Sequence, residues 1–168
     1  ATLLAQRHPH IPQWLQSRGM AEGARQAFLD QFSADSQGVG FAVLGGAFGE
    51  GIDLPGARLI GAFIATLGLA QLNPVNEQMK RRMAAIFGAG YDYTYLYPGM
   101  QKVVQAAGRV IRTREDRGTV MLIDDRFAES RIQQLLPRWW AIKSEPALFK
   151  STDSRILQPM TVAGECDE

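Results

Sequence analysis

Cysteine is almost missing from this chain: Cys166 is the only one in 168 residues. One thiol cannot close an internal disulfide, and no C-x-x-C pair exists to hold zinc. A reducing, cytoplasmic setting is expected. Long apolar runs are missing too. LIGAFIATLGLA (59–70) is the longest candidate. It is glycine-rich and falls short of the roughly 18–20 residues a membrane-crossing helix needs, so no membrane association is expected. The first residues, ATLLAQRHPH, carry no basic stretch followed by an apolar block, so they are not expected to be a signal peptide. They also lack an initiator methionine, as in a fragment or a processed product. Excess charge of one sign is missing, since the formal net charge is +1. An electrostatic footprint for nucleic acid would therefore be local. Finally, neither G-x-x-x-x-G-K-[ST] nor G-x-G-x-x-G occurs, so the two common phosphate-cradling loops are excluded.

What remains is ordinary for a globular chain: 46% hydrophobic and 21% charged residues, with length for one domain. Short apolar runs alternate with helical patterns. IPQWLQ (11–16), VGFAVL (39–44), RLIGAFIATL (58–67) and GTVMLIDD (118–125) read as strands, the last three buried on both faces. GMAEGARQAFLDQF (19–32) reads as a helix with Ala24, Ala27, Phe28 and Phe32 on one side. NPVNEQMKRRMAAIFGAG (73–90) opens on Asn-Pro, a cap and first-turn pair, and ends in glycines. YPGMQKVVQAAGRVIRT (97–113) reads as a further helix, and RIQQLLPRWW (131–140) as a short one stopped near Pro137. This alternation predicts an α/β domain over 1–140 with a mostly parallel sheet. Residues 141–168 show no periodicity and read as a C-terminal tail, partly disordered.

Two stretches carry chemistry. At about 100° per residue, a helix over 97–113 puts Val103, Val104, Ala107, Val110 and Ile111 on one face. Gln105, Arg109 and Arg112 fall on the other, within roughly 60° of one another. Gly108 costs a helix about 1 kcal/mol against alanine, so close approach by a ligand or another backbone is expected there. Paired guanidinium forks suit phosphate oxygens; a solvated helix face is the alternative. The other stretch, GGAFGEGIDLPG (45–56), follows a strand and holds five glycines with Glu50 and Asp53. Ligands gather at such strand ends in open parallel sheets; a tight turn with acidic turn formers is the alternative.

FGEGIDLPG, followed about 50 residues later by QAAGRVIR, resembles motifs V and VI of superfamily 2 helicases. The likeness is to the XPD/DinG group and covers roughly residues 10–140. It implies a RecA-like, P-loop-NTPase-type three-layer domain, the second motor domain of a 5′-to-3′ ATP-dependent DNA helicase. Walker A and Walker B would lie on the N-terminal RecA-like partner domain of the same protein. ATP with Mg²⁺ would bind mainly there, so this piece alone would not hydrolyse ATP. The resemblance assigns Arg109 and Arg112 to the nucleotide phosphates, with Arg112 the arginine finger, and Gln105 to sensing the terminal phosphate. It assigns Asp53 to the ribose or to coupling with the arginines, and Glu50 and Gly51 to the cleft or its link to single-stranded DNA. The group's iron–sulfur cluster needs four cysteines in the first half of the protein. It cannot form in this chain and is expected only in the missing half.

Tyr91, Tyr93, Tyr95 and Tyr97 alternate, which on an extended segment gives one face, either packed inward or stacked on bases. Lys80, Arg81 and Arg82 are solvated or meet phosphates. VMLIDD ends in Asp124 and Asp125, either strand-end structural acids or metal-linked ones. His8 and His10 read as loop residues with little call for metal, and Trp139 and Trp140 as anchors. Two other functions stay open at this level: a non-catalytic binding module, and a self-sufficient nucleotidase using the VMLIDD acids.

Overall fold

The computed structural model describes residues 1–46, 48, 54–112, 116–144 and 160–163. A short helix, α1 (Thr2–Arg7), precedes β1 (Gln13–Leu15), α2 (Glu22–Asp30) and β2 (Val39–Phe41). β1 and β2 pair in parallel with Trp14 opposite Gly40. Then follow β3 (Gly61–Ile64), α3 (Pro74–Phe87), α4 (Tyr97–Ala107) and β4 (Thr119–Leu122). β3 and β4 are again parallel, with Gly61 opposite Thr119. Each parallel pair is bridged by helix, as parallel pairing requires, and the α/β class follows.

The chain ends with α5 (Ser130–Gln133), β5 (Ala141–Ser144) and β6 (Met160–Ala163). β6 sits between β4 and β5 and runs antiparallel to both. The stretch read as a tail thus contributes two strands, and the described strands form two sheets, a parallel pair β1–β2 and a four-stranded sheet that is mixed rather than mostly parallel. Four-residue strands held by distant pairing leave no periodicity to detect.

β3 and β4 are also buried on one face only, and β2 is half-buried along its whole length. Ile64, Val120 and Leu122 are buried, whereas Phe63 is 67% exposed. A continuous apolar run had suggested two covered faces; the alternation is in burial, not in residue type. Against the covered face pack Met100, Val103 and Ala107 of α4, with Phe127, Ile132, Leu136 and Trp140 from beyond β4. Val103, Leu122 and Phe127 are fully buried. Trp140 anchors as expected, but Trp139 is exposed. In α2, Phe28 is buried while Ala24 and Ala27 are exposed. Phe28, Phe32 and Trp14 form an edge-on aromatic cluster over β1 and β2.

α3 begins and ends as its sequence dictates. The Asn73 side-chain oxygen accepts the Asn76 N–H at 2.8 Å, and Gly88 closes the helix at φ 71°. Yet α3 buries none of its residues. Lys80 pairs with Glu77 at 2.5 Å, and the Tyr95 hydroxyl donates to the same carboxylate at 2.8 Å. These two bonds, Lys80 first, hold the Glu77 carboxyl below its usual range, while burial and Glu77 raise Tyr95.

The tyrosine run is helical, not extended. Asp92–Leu96 forms a π turn that feeds directly into α4, with the Tyr97 N–H bonded to the Asp92 carbonyl. Pro98 explains the widening. It has no N–H for the Thr94 carbonyl four residues back, and its ring would collide with that carbonyl in a regular α-helix. The wider turn splits the four rings. Tyr95 is buried, whereas Tyr91, Tyr93 and Tyr97 are exposed.

Gly99 sets how close α4 comes to the sheet. A Cβ there would lie 2.6 Å from the Leu67 carbonyl oxygen. Helix propensity alone makes Gly→Ala stabilising by about 1 kcal/mol. The contact reverses the sign: Gly99→Ala should destabilise the domain by about 1–3 kcal/mol, read as a lower urea midpoint with unchanged slope. A raised midpoint would show that this contact does not limit packing.

Candidate nucleotide and nucleic-acid site

The glycine-rich loop leaves the carboxyl end of β2 and is tied down at both ends. At its start the Val43 N–H donates to the Gln16 side-chain oxygen at 2.8 Å. Gly45 takes φ 73°, and a Cβ there would meet the Lys102 side chain at 2.6 Å. Inside the loop Phe48 is buried, its ring 4.4 Å from that of Phe28. At the far end Leu54 is buried and Arg58 donates to the Phe32 carbonyl at 2.7 Å. The same guanidinium reaches the Leu29 carbonyl in the last turn of α2 at 3.4 Å, where a cation is favourable. Glu50, Gly51 and Asp53 lie outside the described residues.

Lys102 was not singled out by sequence, where it is one more basic residue on a helix. It reaches both strand-end loops: its stem lies along Gly45, and its ammonium is 3.4 Å from the Gly68 carbonyl. Gly68, at φ 67°, follows β3 as Gly45 follows β2. One side chain of α4 therefore braces the two turns beside the candidate site.

α4 stops at Ala107, earlier than the helix read over 97–113. Gly108 caps it with N–H bonds to the Val104 and Ala106 carbonyls, and the next two N–H groups make short i→i+3 bonds. Val110 nonetheless stays buried. The apolar spacing continues because a turn, not a helix, delivers Val110 to the core. Gly118 makes room for it: a Cβ there would stand 2.3 Å from Val110 Cγ1.

The three residues assigned to one helical face are accordingly split. Gln105 is exposed on α4, Arg109 lies in the turn, and Arg112 follows in non-helical chain. No other described segment comes within 4 Å of a Cβ built on Gly108, which stands at the end of α4, so no described backbone makes the close approach there. Gly108 borders a small apolar hollow of about 80 Å³ with Ile111, Trp139 and Trp140. The outer face of α4 forms an open groove of about 360 Å³ where Tyr97, Gln101 and Gln105 face Leu135. Arg112 is held by Asp116, whose Oδ2 accepts the Arg112 backbone N–H at 3.0 Å and lies 3.7 Å from Nε.

Of the VMLIDD acids, Asp124 has structural partners. It caps the turn Asp125–Ala128 through the Arg126 N–H. It also takes the Arg126 guanidinium in a fork, at 2.8 Å and 2.7 Å. That fork holds its carboxyl below the ordinary range, against burial, which pushes the other way. Among the described residues no group of three or more His, Cys, Asp or Glu side chains could hold a metal ion. Nor is any described helix long and apolar enough to cross a membrane.

The helicase C-terminal domain family matches residues 2–143. The chain belongs to that family. It is 33% identical over 102 residues to the ATP-dependent DNA helicase chl-1 of Caenorhabditis elegans, covering 59% of this chain and 12% of that protein. It is 33% identical to the regulator of telomere elongation helicase 1 of Bos taurus, covering 73% of this chain and 11% of the relative. It is 30% identical to the ATP-dependent DNA helicase DinG of Photobacterium profundum, covering 54% of this chain and 13% of the relative. All three are named as helicases, and the last carries the name of the group that the two motifs resemble. The chain spans only a small fraction of each.

The Asp124 fork gives a pH signature. A depressed folded pKa contributes stability above the ordinary aspartate value of about 3.9, and that stability is lost as pH falls through the folded pKa. Asp124→Asn should therefore cost about 1 kcal/mol at neutral pH, a figure reduced because Arg126 is 40% exposed. The difference between the two proteins should close below about pH 4. Denaturation midpoints at several pH values measure it; a constant gap would remove the charged fork as the cause.

Proposed function

We propose that this chain is the second RecA-like motor domain of an ATP-dependent DNA helicase. It supplies Arg112, Arg109 and Gln105 to ATP and Mg²⁺ held mainly by a Walker-bearing N-terminal domain. The observation that carries the reading is the joint occurrence of FGEGIDLPG after β2 and QAAGRVIR at the end of α4, within a chain of the helicase C-terminal domain family. The relatives' names, ATP-dependent DNA helicase among them, support ATP and DNA as ligands. By the same resemblance, any iron–sulfur cluster belongs to the other half.

In this reading Arg112 offsets charge on the terminal phosphates as the cleft closes, and Gln105 senses the terminal phosphate from the groove on α4. The glycine loop with Glu50, Gly51 and Asp53 completes the cleft wall. Lys102, holding the two strand-end turns, keeps that wall in register with α4. Cleft closure and reopening then move the two motor domains along a strand. The isolated chain, without Walker A, is inactive.

The exposed rings supply the grip on single-stranded DNA. Phe87 and Tyr93 stack at 4.6 Å, and Tyr93 meets Tyr97 edge-on at 5.2 Å. Tyr97 also borders the α4 groove. Aromatic faces beside the basic residues of α3 suit stacked bases and their phosphates.

Supplying the Walker-bearing domain and measuring DNA-stimulated ATP turnover tests the first part. Arg112→Ala should lower kcat by about 10³-fold or more; turnover indifferent to that change rejects the arginine-finger role. For the second part, Tyr93→Ala and Tyr97→Ala should each weaken binding of a labelled oligothymidine by about 1–3 kcal/mol. Anisotropy titrations with unchanged affinity would take the rings out of the DNA path.

A further inference from the structure

Arg112 poses a geometric problem that the helix does not solve. α4 ends at Ala107, so a residue five positions later is not aimed by helical hydrogen bonds. A long side chain on an unsupported segment would spread over many rotamers, and an arginine that meets phosphate in a closing cleft needs its position fixed beforehand.

Among the described residues the segment is held at two places. Val110 is 3% exposed and lodged against Gly118. Two residues on, Asp116 accepts the Arg112 backbone N–H at 3.0 Å with the same oxygen that faces Nε at 3.7 Å. The carboxylate is the deeper partner: its side chain is 11% exposed, that of Arg112 23%. It therefore bonds the arginine at its backbone and faces its guanidinium at an ion-pair distance. That separation is longer than a hydrogen bond, so the backbone bond fixes the segment and the carboxylate charge biases where the fork lies. Asp116 itself stands three residues before β4, whose Thr119 N–H is bonded to the Ile60 carbonyl at 3.0 Å. The grip is thus referenced to the parallel pair β3–β4.

We propose that Asp116 is the positioning residue for Arg112, holding its backbone and guanidinium ready for nucleotide phosphate. The inference rests on the arginine-finger reading above and adds to it the group that makes the finger effective. Asp116 touches neither nucleotide nor DNA in this scheme; it acts through Arg112.

The test is a double-mutant cycle in DNA-stimulated ATP turnover, with the Walker-bearing domain present. Asp116→Leu keeps the shape and removes the acceptor. It should lower kcat by about 10- to 100-fold while KM for ATP changes less than about twofold. Asp116→Asn, whose amide oxygen still accepts the N–H, should cost only about threefold. In the Arg112→Ala background both changes should alter kcat by less than about twofold, since a positioning residue has nothing left to position. Thermal melts of each variant report folding; if the Leu variant does not fold, the Asn variant decides by the same comparison. Equal losses with and without Arg112, or no loss beside an intact Arg112, would overturn the role of Asp116 while leaving the finger reading in place. No loss from Arg112→Ala itself would overturn both.

Discussion

The packing of α4 on the β3–β4 pair fixes the geometry of everything else. Met100, Val103 and Ala107 point into the sheet and are almost completely covered. Burial of side chains this size contributes about 1.5–3 kcal/mol each for the larger ones, which leaves the helix no freedom to roll. The backbone contact of Gly99 with Leu67 then sets the separation. With the inward face fixed, helical geometry dictates the outward one, and Tyr97, Gln101 and Gln105 must line a single groove. The same rod carries Lys102 to the turns after β2 and β3. The candidate site is a consequence of a packed core, not an addition to it.

Much of this was legible in the sequence where the signal is local. Asn73-Pro74 and Gly88 bracket α3 because capping chemistry depends on immediate neighbours. The apolar runs around β2, β3 and β4 gave the α/β alternation for similar reasons. What depends on distant partners was not legible. β6 exists through pairing with β4 and β5 on either side, and four residues of MTVA announce none of it. The π turn was hidden in plain view: the helix was read as starting at Tyr97, whereas the chain is already helical before it and widens to accommodate the Pro98 ring.

The candidate site divides along the same line. Motif identity needed only letters and spacing. Geometry needed the end of a helix, and hydrophobic periodicity misplaced that end because Val110 is buried on both readings. Residues past a helix end can keep its spacing when a turn returns them to the same core. Asp116 stayed invisible for a related reason. An acid four residues after an arginine looks like a surface ion pair on a helix, but here it bonds a backbone N–H that no helix satisfies.

That early end has a mechanical consequence. An arginine on a helix would move only with the helix, whereas one on non-helical chain takes its position from whatever bonds that chain. Here the bonds lead through Asp116 and Gly118 to β4, and through β4 to β3. The turn after β3 meets α4 at Gly68, and the turn after β2 meets it at Gly45, both along Lys102. Arginine segment, glycine loop and groove are thus tied to one sheet-and-helix unit by different contacts. On the proposed reading, a unit tied this way presents its described phosphate-facing groups together, and closure of the cleft would be motion between domains rather than within this one.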